Sequence, residues 1–418
     1  MLPARLVVIS TIVLATAACD APMDAQVATA GKPSSRAADP CKPIETREAN
    51  APDQQPSFPG QTRACAAPSN VAFEVTVLSK DLESPWAVEP LPDGALLVTE
   101  QPGRMRIVSA AGALGPALNG VPKVDARGQG GLLDVVLSPK FESDRIIYWS
   151  YSEPREGGNG TSVARGVLSA DRTSVEQVTV IFRAMPTYNG RLHFGSRLLF
   201  GPDGMLYVTL GERSDKPMRP QAQQLDSHMG KILRIKPDGS APPDNPFVGQ
   251  ANALPEIWTL GQRNVQSAAF DREGRLWQVE HGTKGGDELN LVKKGKNYGW
   301  PLVAYGEEYS GAPIPNTVTD RPGFERPVYY WDPVIAPSGA EFYTGSAFPA
   351  WRDSLFVGSL RDKKLVRLTI ENERVTGEEH LLADRDQRIR DVRQGPDGAL
   401  YVVTDEEAGQ LWKIAPRR

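Results

Sequence analysis

One local pattern recurs along this chain: a Pro-Asp-Gly turn that runs directly into a β-rich apolar segment. Pro92-Asp93-Gly94 precedes residues 95–99, Pro202-Asp203-Gly204 precedes 205–209, and Pro396-Asp397-Gly398 precedes 399–403. Weaker copies stand at Pro139-Lys140-Phe141, at Asp271 to Gly274 and at Pro349 to Ser354, each followed by an apolar run. Proline fixes φ at the first turn position, aspartate closes the turn through its side chain, and glycine takes the left-handed position. The β-branched and aromatic run that follows reads as a strand. Runs before the turn, such as Trp86-Ala87-Val88 and Leu198-Leu199-Phe200, supply the other strand of each hairpin. Six such hairpins, roughly 45–80 residues apart, are the mark of a β-propeller. Helical 3.6-residue periodicity is scarce, which argues against a doubly wound α/β fold. Phe73 to Leu78 is placed to complete the last blade beside Leu411-Trp412-Lys413-Ile414, closing the ring and removing sheet edges. A β-sandwich with coincidental turns is the weaker alternative. The predicted fold class is all-β, a six-bladed β-propeller with a disordered N-terminal extension.

At 418 residues, with 40% apolar and 23% charged side chains, the chain has the composition of a large soluble domain. Its 47 basic and 51 acidic residues leave a net charge of −4, so no broad basic surface for nucleic acid is expected. Three cysteines without a CxxC spacing exclude a disulfide framework, a zinc site and a redox dithiol. Residues 1–18 carry Arg5, an apolar run from Leu6 to Leu14, and small residues ahead of Cys19. That is the layout of a signal peptide, too short to span a bilayer comfortably, and it predicts export to the periplasm. Cys19 resembles a lipoprotein cleavage site, where it would carry a lipid anchor, although Thr16 stands where that motif prefers a branched aliphatic residue. Residues 19–69, dominated by Ala, Pro, Ser, Asp and Gln, read as a low-complexity tether that cannot offset its own ordering entropy. In an oxidising compartment Cys41 and Cys65 can pair; otherwise they are two free thiols. Residues 70–418 form the propeller domain.

Functional side chains of a propeller belong on the loops at one mouth of its channel. Gly128-Gln129-Gly130-Gly131 sets one amide among glycines, allowing close backbone approach to a ligand. His193, one of four histidines, lies in the Gly-flanked loop from Gly190 to Gly195. A lone histidine is more often structural than catalytic, so its neighbours must decide. Arg263 and Asn264 follow Gly261-Gln262, and Arg388 and Arg390 alternate onto one face of an extended segment. Those arginines have a bland reading as salt-bridged edges, yet guanidinium forks grouped at one mouth suit an anionic, planar ligand. The segment from Glu280 to Asn290 mixes glycines with oxygen ligands suited to a hard cation such as Ca²⁺, without EF-hand spacing.

The blocks GQGGLLDVVLSPKF, HFGSRLLFGPDGMLYVTLGE, MGKILRIKPDGSAPPDNPF, PEIWTLGQRNVQSAAF, GGDELNLVKKGKNYGWP and RIRDVRQGPDGALYVVTD, in this order from about Leu82 to Ile414, resemble the soluble quinoprotein glucose/sorbosone dehydrogenase family. The aldose sugar dehydrogenase branch is the nearest in pattern. The resemblance implies a six-bladed propeller that uses pyrroloquinoline quinone (PQQ) and Ca²⁺ to oxidise the C1 hydroxyl of an aldose to a lactone. Electrons would leave to an acceptor that the sequence does not identify. By motif, His193 matches the general base, and Arg263 the residue stabilising charge that develops on the quinone oxygen. Gln129, Asn264, Arg388 and Arg390 match cofactor-binding positions. Gly282 and Thr283 match the backbone ligands of a catalytic Ca²⁺, and Glu288 and Tyr298 part of a second, structural Ca²⁺ site.

Four departures accompany the match. Arg361 stands where the glucose dehydrogenase branch has a cofactor-facing lysine, keeping the charge but not the geometry. Leu192 replaces an acid before His193, so the base has no charged neighbour in the sequence, and His281 replaces a glutamine beside the metal carbonyls. The stretch from Tyr305 to Pro337, with Trp331 as a candidate quinone cover, differs in length, so substrate-pocket residues do not transfer. Two readings compete. A Ca²⁺-dependent propeller lactonase would need an acidic metal shell and no arginine cluster, and a non-catalytic carbohydrate-binding propeller would have no use for His193.

Overall fold

A computed structural model describes residues 41–417. The expected signal peptide, Cys19 and the first half of the expected tether lie outside the described residues.

Six four-stranded antiparallel sheets surround a central axis. The first five blades take their strands consecutively, over residues 85–117, 132–183, 198–260, 265–331 and 337–381. The sixth, 389–416, takes its outermost strand from the start of the chain. Phe73–Glu83 pairs antiparallel with Ala408–Pro416, setting Val75 opposite Ile414 and Val77 opposite Trp412. That is the closure expected from the sequence, and it leaves no blade short of a strand. The inner strands touch in cyclic order, with Ile389–Gln394 of the sixth meeting Pro85–Pro90 of the first.

All six recurrent turns join the innermost strand of a blade to the second. In the strong copies Gly94, Gly204 and Gly398 have φ of +84°, +73° and +75°. The aspartates accept from the amide two residues on, at 3.2 Å for Asp93, 3.0 Å for Asp203 and 3.1 Å for Asp397. Two weak copies lack the glycine and change form. A four-residue helix, Phe141–Asp144, replaces the first, with Arg145 left-handed at φ +53°; a 3₁₀ turn, Pro349–Trp351, replaces the second, with Asp353 at +63°.

Each gap between neighbouring blades holds its own apolar cluster, so the core is a ring of six wedges. Trp86, Leu97 and Trp149 fill the first gap, and Trp277, Phe342 and Val357 the fourth. The axis is filled by charge. Buried Arg197 donates to Asp134 at 2.7 Å and Asp391 at 3.0 Å, and Arg393 lies beyond them, 3.5 Å from Asp134. This column separates the two mouths of the channel.

One expectation is corrected. Residues 41–69 are not a loose tether: they lie against blades four and five. Pro43 bridges to Cys65 and Ala66 to Glu378, Gln61 is fully buried, and Cys41 and Cys65 form a disulfide. The segment has few apolar groups to bury. It is held instead by backbone and polar side chains that satisfy polar groups of the propeller, a source of order that composition does not reveal.

Candidate active site

Antiparallel pairing fixes where the chemistry gathers. With every recurrent turn at one end, the inter-blade connections and the loops between second and third strands all emerge at the other. Gln129, His193, Arg263 and Asn264 lie in successive connections, Gly282, Thr283 and Arg361 in second-to-third-strand loops, and Arg388 and Arg390 at the entry to blade six.

His193 is 6% exposed and has φ +49°, a left-handed conformation uncommon for a residue with a side chain and frequent at functional sites. Gln129 holds it there, its Oε1 accepting from the His193 amide at 2.8 Å, and its own amide donating to Arg191 O at 2.8 Å. Gly128 is required for this approach: a Cβ there would stand 2.4 Å from Arg191 O. The imidazole Nδ1 lies 2.9 Å from Glu212 Oε1. Glu212 is itself anchored, accepting from Ser214 N at 2.8 Å and donating its amide to Arg263 O. With Nδ1–H donating to the Glu212 carboxylate, the neutral imidazole keeps its Nε2 lone pair free as the base. Burial lowers the His193 pKa, and Arg263 lowers it further, against the opposing pull of Glu212. The acid absent from position 192 is thus supplied across space, and exposed Leu192 is free of that role.

Arg263 is 3% exposed and lies over Trp300 at 5.2 Å, a cation–π contact. Its Nη1 donates to His281 O at 3.1 Å and to Gly282 O, its Nη2 reaches the Tyr309 hydroxyl at 3.4 Å, and its Nε has no partner. The Gly282 carbonyl, expected to face a catalytic cation, therefore accepts from a guanidinium here. Asn264 Oδ1 accepts from Gly195 N at 3.1 Å, tying this connection to the histidine loop. Burial pushes the His281 imidazole well below its ordinary pKa, helped by nearby His193, Arg263 and Arg390. Gln266 Oε1 joins His281 Nε2 at 3.2 Å to Arg390 Nη1 at 3.0 Å. Asp405 grips Arg388 and Arg390 together, at 2.8 Å and 2.7 Å to their Nε atoms. A hydrogen-bonded chain through His281 and Gln266 thus links Arg263 to Arg390, and Asp405 links Arg390 to Arg388. Arg361 stands apart, exposed at the rim, with no side-chain hydrogen bond to them among the described residues.

Beside Arg263, Glu280 and Glu288 face each other across paired strands, both buried. Burial pushes Glu280 up to about 7, and burial together with the Glu280 charge raises Glu288 well above the carboxylate range. Like charges directly opposite each other are unfavourable. Tyr298 lines the same small cavity, but its hydroxyl turns away, donating to Leu291 O at 2.7 Å, so only its carbonyl can serve a cation. Among the described residues no three acidic, His or Cys side chains converge. A cation here would combine the two carboxylates with neutral oxygens, and the buried acceptors Gln278 Oε1 and Asn290 Oδ1 are without partners. That oxygen-only set fits Ca²⁺. The unpartnered buried donors Arg263 Nε and Thr283 Oγ1, together with the paired arginines, fit a planar polycarboxylate such as PQQ.

Sequence reading found most of these residues and missed those that orient them. Glu212 and Asp405 follow the second strand of blades three and six and reach back to the entry of the same blade, while Gln266 and Asp287 join blade four to its neighbours, and no local spacing marks any of them.

Fold and site together define a β-propeller with a cationic, acid–base-equipped mouth. The chain belongs to the glucose/sorbosone dehydrogenase family, whose model matches residues 82–413. It is 46% identical to aldose sugar dehydrogenase YliI of Escherichia coli (strain K12) over 84% of this chain and 95% of that one. It is 29% identical to quinoprotein glucose dehydrogenase B of Acinetobacter calcoaceticus, over 82% and 87%. Among solved structures it is similar to the PQQ-bound form of aldose sugar dehydrogenase from Streptomyces coelicolor, with 31% identity, TM-score 0.68, and coverage of 84% and 99%.

Proposed function

We propose that this protein is a periplasmic, PQQ- and Ca²⁺-dependent dehydrogenase that oxidises the C1 hydroxyl of aldose sugars to lactones. The observation that carries the reading is the buried His193–Glu212 pair beside Arg263 at the mouth that also holds Arg388 and Arg390. When bound, PQQ would supply an electrophilic ortho-quinone as the hydride acceptor for the sugar C1.

His193 Nε2, held neutral by burial and by Arg263, takes the proton of the anomeric hydroxyl, and Glu212 stabilises the imidazolium that results. Arg263 offers its free Nε–H to oxygen on which negative charge develops. Arg388 and Arg390 would neutralise carboxylates of the cofactor, and Gln129 and Asn264 hold the histidine loop in place. Gly282 and Thr283 would offer backbone carbonyls to a Lewis-acidic Ca²⁺, that of Gly282 being shared with Arg263, and Glu288 with the Tyr298 carbonyl would hold a second, structural one. Arg361 adds charge at the rim. The signal-peptide layout of residues 1–18 and the Cys41–Cys65 disulfide support a periplasmic setting, with Cys19 as a lipid anchor.

The test is reconstitution. Apo-protein given PQQ and Ca²⁺ should reduce an artificial electron-accepting dye with an aldose, and His193→Ala should lower kcat by about 10²–10⁴-fold while PQQ still binds. Full turnover in that variant would remove His193 from the mechanism.

A further inference from the structure

The segment 41–69 precedes the residues that match the family, and its contacts lead to the site. Asn50 N and Ala51 N donate to the two carboxylate oxygens of Asp332 at 2.5 and 3.1 Å, and Asn50 Oδ1 accepts from Val334 N at 3.0 Å. Arg63 adds a hydrogen bond to Asp332 O at 2.9 Å. These bonds fall on the connection between blades four and five, which has little regular structure of its own. The next two amides of that connection, Ile335 N and Ala336 N, donate to Asp287 Oδ2 at 2.8 and 2.7 Å. The other oxygen of Asp287 accepts from Gly282 N at 2.8 Å, in the loop whose carbonyl Arg263 holds. Ile335 O accepts from Arg361 N at 3.1 Å and from Ser359 Oγ at 2.8 Å. Arg47 reaches the same loop from outside, donating to Asp362 at 3.1 Å. Two short paths thus run from the segment inward: Asn50–Val334–Ile335–Asp287–Gly282, and Arg47–Asp362 beside Arg361.

We propose that residues 41–69 form a disulfide-closed strap, with Asn50 and Arg47 as positioning residues that set the Gly282 and Arg361 loops for the cofactor. In its cofactor arm this rests on the quinone reading above. The propeller closes without the strap, since Phe73–Glu83 already completes blade six. The strap therefore acts on the mouth, not on ring closure. Outer contacts of a bound group commonly cost about 10- to 100-fold in its affinity when removed.

The experiment uses the full chain carrying Asn50→Ala, Arg47→Ala or the pair Cys41→Ser/Cys65→Ser. Ser69→Ala serves as control, because Ser69 anchors the strap to Glu379 on the outermost strand of blade five and to Trp351 in the turn at the end away from the site. Amide hydrogen exchange on the protein without PQQ, the PQQ dissociation constant from absorbance, and the melting temperature are measured for each. Asn50→Ala should speed exchange at residues 282 and 334–336 at least tenfold and weaken PQQ about tenfold, with a melting temperature no lower than that of Ser69→Ala. Exchange at Gly282 as slow as in the unmodified chain, or PQQ affinity equal to that of Ser69→Ala, would overturn the proposal. If the unmodified chain takes up no PQQ, the quinone reading falls, and the exchange data still decide whether the strap sets these loops.

Discussion

At the scale of single residues, the site is a matter of what surrounds one imidazole. Burial and Arg263 lower the His193 pKa below its ordinary 6.5, so the base is free at neutral pH. The profile of kcat/KM against pH should therefore be flat through neutrality and fall only below about 6.5, as His193 takes up a proton. Glu212 opposes that lowering. Glu212→Gln should move the acid limb to still lower pH and reduce kcat by about tenfold or more, because Nδ1–H loses the carboxylate that stabilises the imidazolium. A pH–rate series on the two proteins checks both statements, and an acid limb displaced upward would contradict them. The sequence exposed His193 through its glycine-rich setting. It concealed Glu212, since a partner 19 residues away across a hairpin leaves no trace in local spacing, and the leucine at 192 pointed away from any acidic neighbour.

At the scale of elements, the turn that announced the fold also gives a graded test of it. Gly204 has φ +73° with nothing within 4 Å of a built Cβ, so Gly204→Ala should cost only the backbone term, about 1–2 kcal/mol. Gly120 has φ +88° and a Cβ there would stand 2.1 Å from Val175 O, so Gly120→Ala should cost clearly more. Denaturant unfolding of the two variants reads the difference. Where the pattern carried its glycine, the strand was legible to within a residue: 95–99 was read and Leu96–Glu100 is found. Where it did not, as at Phe141–Asp144, the strand positions held but the turn became a helix. Residues 41–69 escaped sequence reading for the opposite reason: their order comes from groups such as Asp332 and Asp362, in loops of the propeller far away in the chain.

At the scale of the whole molecule, burial of charge sets how the protein responds to its medium. Around Arg393 at the channel mouth opposite the site lie Glu89, Glu341, Asp134 and Asp391, and burial pushes Glu89 up to about 8 and Glu341 up to about 7. The folded state keeps protons there that the unfolded chain has lost above about 4.5. Their contribution to stability is full at low pH and is lost as pH rises through 7 to 8. Glu89→Gln should flatten that loss in a melting series from pH 6 to 9. Ca²⁺ should stabilise the native chain by about 2.7 kcal/mol at a hundredfold excess over its dissociation constant, read as a higher melting temperature, and Glu288→Gln should remove much of that rise. The most direct test of the account is a PQQ titration in the presence of Ca²⁺, followed by absorbance. Saturation at one quinone per chain is expected, with a spectrum that shifts to the reduced form when an aldose is added and an affinity that falls on Arg390→Ala. A spectrum that never saturates, or equal affinity without Arg388 and Arg390, would contradict it.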